Sequence, residues 1–189
     1  DTADLRHVVT AFILLDGVQQ DETLRRALAV VFAVRDRFGA QILDLGFADK
    51  GAALVLTWGA EQRHENDVER ALSALLHLRS AWASVGLPPF RVGVTRRRMF
   101  VGMGGGTQRR TLALYGRGVA LAARIAVQCA WGEILTDAPI AQGATRSHTL
   151  KALGGRALKG FSEPVPVHRL LQVRSAEATH TPRGLMIGR

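Results

Sequence analysis

The sequence predicts an α+β domain: a mainly antiparallel sheet with helices packed on it. Three observations carry this. Apolar runs of strand length alternate with longer stretches whose apolar residues recur at helical spacing. Several of the short runs lie next to one another, joined by turn chemistry, as hairpin strands do. The order reads strand, helix, hairpin, helix, hairpin, then a helix and closing strands. The 189 residues suit one such domain with its own core, and 47% hydrophobic content excludes disorder.

Asp1 to His7 reads as a polar lead-in or linker. Val8 to Leu15 is almost continuously apolar, the mark of a central strand buried on both faces, and Asp16-Gly17 end it. A helix begins at Asp21-Glu22, with acids in its first turn, and buries Leu24, Leu28, Val31 and Phe32; Gly39 caps it. Gln41–Leu45 and Ala52–Trp58 form a hairpin across the connector GFADKG. After a polar loop, Asp67–Val85 is a helix with Val68, Ala71, Leu72, Leu75, Leu78 and Trp82 on one face. Gly86 closes it, and Pro88-Pro89 prevent its continuation.

The stretch from Arg91 through Arg124 organises the rest. It reads as a strand (Arg91–Thr95), a turn at Arg96–Arg98, a second strand (Met99–Met103), a glycine-rich loop, a third strand at Leu112–Tyr115, and a helix. Val119, Leu121, Ala122, Ala123 and Ile125 give that helix a face of mostly small residues, which lets it lie close to a sheet. Gly116 and Gly118 permit the tight turn into it. No Gly-Lys-Ser/Thr follows Gly102–Gly106, so that run is a flexible hairpin loop and not a Walker loop. Glu133–Thr136 is a short strand, Asp137–Gln142 a short helix with Pro139 near its start, and Thr149–Leu153 and Val165–Gln172 the closing strands. The pattern fades towards the C-terminus, so the domain spans residues 8–172 and residues 173–189 are tail or linker.

The net charge of +9 permits binding to nucleic acid, anionic lipid or nucleotide phosphates. The arginines are scattered, with dense clusters only at Arg96–Arg98 and Arg109-Arg110, and the few aromatics do not interleave with them. No apolar run reaches the roughly 18 residues of a membrane span, and no secretory leader is visible. Cys129 stands alone, which suits a reducing cytosol and a buried helix position. His64, His77, His148 and His168 lack zinc-site spacing, and Asp44, Asp49, Asp67 and Glu69 read as surface charges.

GRGVALAAR, at Gly116 to Arg124, resembles the signature of class III nucleotidyl cyclase domains, in which a glycine is followed by Val-Asn-Leu-Ala-Ala-Arg. RVGVTRRRMFVGMGG matches that family's two glycine-anchored strands, with Gly93, Val101, Gly102 and Gly105 in register. RALKGFSEPVPVHRL (Arg156–Leu170) matches its closing Leu-Lys-Gly-Phe and Pro-Val motifs, and HENDVERAL (His64–Leu72) the start of its central helix. The resemblance covers Val8 to Leu171 and is closest to the second cyclase domain of tandem soluble adenylyl cyclases. It implies a ferredoxin-like core and head-to-tail dimers with the active site between two domains.

The resemblance also implies site residues. The first metal aspartate belongs at the end of the first strand, where Ile13, Leu14 or Leu15 stands; Asp16 lies about two positions late. The second belongs after a glycine opening the third strand, where Gly51 is followed by Ala52 and Asp49 is three residues away. Alkyl groups cannot replace carboxylates around a hard cation. The purine-reading position is Ala113 and the ribose asparagine position Ala120. The purine lysine's place falls near Asp44, with Lys50 a substitute only if its connector folds inward. Arg124 remains at the transition-state arginine and Lys159 at the phosphate-contacting lysine.

The expectation is therefore a cytoplasmic cyclase-homology domain with no metal site of its own. It is the non-catalytic or regulatory half of a dimer, with a second copy or a second cyclase-like domain as partner. Magnesium or manganese with ATP or GTP enters only if that partner supplies the aspartates. The alternative is a basic α+β module that binds nucleic acid through Arg96–Arg98 and Arg109-Arg110.

Overall fold

The computed structural model describes residues 4–18, 22–48, 51–106 and 109–174. Its elements are β1 (Asp4–Leu15), α1 (Glu22–Phe38), β2 (Gln41–Ala48), β3 (Gly51–Trp58), α2 (Asp67–Ser84), β4 (Arg91–Gly106), β5 (Arg109–Tyr115), α3 (Gly118–Val127), β6 (Ile134–Asp137), α4 (Ala138–Gly143), β7 (His148–Arg156) and β8 (Val165–Val173). The sheet runs β2-β3-β1-β4-β6-β8-β7, with β5 also paired to β4. Among the described residues, only the β4–β6 pair is parallel. The mainly antiparallel α+β architecture is thus as the sequence predicts, and β1 to β4 with α1 and α2 make the expected ferredoxin-like core.

β1 is central because both of its faces are apolar. Val9, Ala11, Ile13 and Leu15 pack in the main core with Leu54, Leu56 and Trp58 of β3 and Leu72, Leu75, Leu78 and Trp82 of α2. Each core tryptophan satisfies its indole N–H: Trp58 donates to the Phe38 carbonyl at 3.1 Å and Trp82 to that of Pro88 at 2.7 Å. Phe90 meets Trp82 edge-on, with ring centroids 5.4 Å apart. A second cluster on the other side of the sheet joins Leu121, Ile125, Cys129, Leu135, Leu158 and Val167.

Five local expectations are corrected; one is Asp67, which is not a surface charge but buried at 8% exposure, paired with Arg70 at 3.2 Å and accepting from the His64 backbone N–H at 2.9 Å. β1 starts at Asp4, not Val8, because β4 continues far enough to pair with the polar lead-in, down to Asp4 opposite Val101. Arg96–Arg98 are not a turn: they pair with Val9, Val8 and His7 in the middle of the 16-residue β4. Side-chain polarity suggested a break, but the backbone ladder to β1 is uninterrupted. The glycine run is strand as well, from Gly102 opposite Ala113 to Gly106 opposite Arg109. Phe32, expected in the core, is exposed at 41%, with the Arg35 guanidinium 4.9 Å over its ring. Asp49, Lys50 and the tail from Ser175 onward lie outside the described residues.

Candidate functional site

α3 lies directly on β4, and glycine is what lets it. A Cβ on Gly93 would fall 2.0 Å from the Ala122 carbonyl oxygen and 2.5 Å from the Ala126 nitrogen. Thr95 secures the helix start by donating to the Gly118 carbonyl at 3.0 Å. Leu121, Ala122, Ile125 and Ala126 are buried, which leaves Ala120, Ala123 and Arg124 on the far side.

Leu158 is buried in the same apolar cluster as Leu121 and Ile125. Its neighbour Lys159 is therefore held beside α3. The two residues carried over from the motif, far apart in the chain, meet at one cavity of about 330 Å³. Ala120, Ala123, Val127, Gln128 and Leu158 complete its lining. Among the described residues, neither Arg124 nor Lys159 has an ion-pair partner. Two exposed cations at the mouth of one pocket can grip a phosphate chain, the arginine in bidentate fashion. Sequence reasoning missed Gln128. Its signal was available: it lies four residues beyond Arg124 and eight beyond Ala120, on the same helix stripe.

The remaining positions lie elsewhere. Ala113 sits on β5 opposite Gly102 and does not line this cavity. Leu15 and Ala52 face each other across β1 and β3, and Leu14 pairs with Ala53. Leu14, Leu15 and Ala52 are the positions that the motif resemblance assigns to metal carboxylates, and the register sets them side by side. Leu15 and Ala52 are buried at 4% and 2% exposure, part of the main core, and Leu14 is half-buried. These side chains carry no oxygen and do not fit a divalent cation. Asp16 is exposed beyond the strand end, and Asp44 is exposed on β2 beside a bulge. Among the described residues, no three His, Cys, Asp or Glu side chains cluster as metal ligands would.

The two basic clusters sit far apart along the strand ladder. Arg98 lies mid-strand and Arg110 is opposite Gly105, roughly 23 Å further along β4 by its rise per residue. Beside Arg97 is a carboxylate that the sequence showed only as a helix start. Asp137 is fully buried, pairs with Arg97 at 2.6 Å, and accepts from the backbone N–H groups of Ile140 at 3.1 Å and Arg96 at 3.3 Å. Burial pushes its carboxyl up to about 6, against the pull of Arg97 and both N–H groups.

No family model and no curated protein matches the chain. Solved structures do. The adenylyl cyclase CyaB from P. aeruginosa is 20% identical with a TM-score of 0.73, over 92% of this chain and 97% of that one. The guanylate cyclase domain of RhGC from Catenaria anguillulae, solved in complex with GTP, is 16% identical with a TM-score of 0.77, over 91% and 100%. The guanylyl cyclase Cya2 is 18% identical with a TM-score of 0.72, over 93% and 97%. At these identities the likeness speaks for architecture, and it agrees with the motifs at Gly93, Gly116 to Arg124 and Leu158 to Phe161: this chain has the class III nucleotidyl cyclase fold.

Proposed function

We propose that this chain is the non-catalytic or regulatory half of a nucleotidyl cyclase dimer. One observation carries the reading. Arg124 and Lys159 converge on a single open pocket, while Leu14, Leu15 and Ala52, the positions that the motif resemblance assigns to the metal carboxylates, carry no oxygen. A domain built this way can hold the phosphates of a nucleoside triphosphate but cannot assemble a metal centre from its own side chains at those places. The partner, a second cyclase-like domain with both aspartates, supplies the metals. Arg124 and Lys159 reach the triphosphate across the interface, where Arg124 neutralises charge that builds on the transferring phosphorus. Ala113 and Ala120 offer no hydrogen bond to base or ribose, so purine selection also falls to the partner. A nucleotide-bound structure of a relative supports the reading: the RhGC domain was solved in complex with GTP. The guanylyl cyclase domain of the RhoGC fusion protein from Blastocladiella emersonii was solved as a non-canonical dimer, so such domains do pair.

The test is turnover. The purified chain with ATP or GTP and manganese yields no cyclic nucleotide. Mixed with a cyclase domain that keeps both aspartates but lacks the arginine, it restores product formation, and Arg124→Ala abolishes the restoration. Robust turnover by the chain alone overturns the proposal.

A further inference from the structure

β4 changes partner along one edge. β6 pairs with it through Val94, and β5 takes over at Phe100. Between them, among the described residues, Thr95 to Met99 have a strand neighbour only on the β1 side. The gap opens into a cavity of about 650 Å³ lined by Arg96, Arg97, Arg98, Tyr115, Arg117 and Phe161, among others. It shares no lining residue with the pocket of Arg124 and Lys159.

The charges in this notch are unevenly spent. Arg97 is taken by Asp137. Arg117 is fixed in place, its guanidinium 5.3 Å over the Phe161 ring and donating to the Gly160 carbonyl at 3.2 Å, and among the described residues no carboxylate pairs with it. Among the described residues, Arg96 and Arg98 have no acidic partner either. The local field is positive enough to be felt nearby: His7 is held below its usual value by burial and then by Arg96, Arg98 and Arg63. Aromatic surface stands open beside these cations, with Tyr115 exposed at 66% and Phe100 at 52%. The first turn of α3 starts here too, with no side chain capping its amides.

We propose that this notch is a second ligand site, taking a nucleoside monophosphate: Arg96, Arg98 and Arg117 hold the phosphate, and Tyr115 with Phe100 covers the base. Unpaired guanidiniums favour a dianion, and an exposed ring stacks on any base because every base has a π-face. The cavity is wide enough for base, sugar and one phosphate. The site is independent of the function proposed above, since it uses neither Arg124 nor Lys159.

Calorimetric titration of the chain with AMP and with GMP tests it, using ribose 5-phosphate and adenosine as the two halves. One nucleotide binds saturably and more tightly than either half. Arg96→Gln with Arg98→Gln weakens binding about tenfold or more, as expected on losing charged hydrogen bonds. Tyr115→Ala weakens it several-fold, and Arg124→Ala leaves it unchanged. Arg98 and Tyr115 are exposed, so Arg98→Gln and Tyr115→Ala singly serve if the double variant unfolds by circular dichroism. Three results each overturn the proposal: no saturable binding of either nucleotide, ribose 5-phosphate binding as tightly as AMP, or binding lost in Arg124→Ala and kept in the Arg96 and Arg98 variants.

Discussion

Gly93 is the residue on which the helix–sheet contact turns. Its hydrogen is the only group that fits beneath Ala122 and Ala126. Gly93→Ala forces α3 off the sheet and costs about 3 kcal/mol, at the upper end for overpacking. Denaturant melts read that loss, and unchanged stability would mean the helix is not seated there. Cys129 is buried, with its Sγ donating to the Val92 carbonyl at 3.1 Å, and burial pushes its thiol up to about 12. It therefore stays inert to thiol reagents in native buffer and reacts on unfolding; fast native labelling would contradict this. Asp137 links folding to pH. Its carboxyl rises from 3.8 to about 6 on folding, so the native state binds the extra proton between those values. Stability then falls as pH climbs through that window, by a total on the order of 3 kcal/mol. Denaturation midpoints of the wild type and Asp137→Asn, compared at pH 4 and 6.5, diverge in that direction; parallel profiles would rule the linkage out.

At the scale of elements, α3 and the turn after β7 act together. Leu158 and the buried face of α3 share one apolar cluster, so Arg124 and Lys159 keep a fixed spacing without touching. Both side chains are exposed, so Arg124→Ala and Lys159→Ala leave the melting temperature within about 2 °C, as surface changes do. Each lowers triphosphate affinity about tenfold, since a charged contact is worth roughly 1.5–3 kcal/mol. Titration beside a thermal melt separates the two effects, and equal losses in both would reduce the pair to a structural role. The helix half of this arrangement was legible. GRGVALAAR carries the small face, the turn glycines and Arg124 at once. Gln128, which lines the same pocket, lies beyond the motif's last residue, so the motif alone does not mark it. β4 was misread for a physical reason: three consecutive arginines carry no period-two signal, yet a strand needs only backbone partners, which β1 supplies.

For the whole molecule, local pattern and tertiary pairing decided different things. The helix order and the strands outside β4, the antiparallel α+β class, the core faces of β1 and α2, and the alkyl chemistry of Leu14, Leu15 and Ala52 are properties of residue type and spacing, and these are written along the chain. Among the described residues no helix is long and apolar enough to cross a membrane. What brings Lys159 to Arg124, sets Leu15 opposite Ala52, parts Arg98 from Arg110, buries Asp137 against Arg97 and opens a notch where β4 passes from β6 to β5 is the pairing of distant strands. Such pairings depend on register and on which edge each strand finds. Residue spacing along the chain does not encode that choice; the close packing of the assembled sheet does.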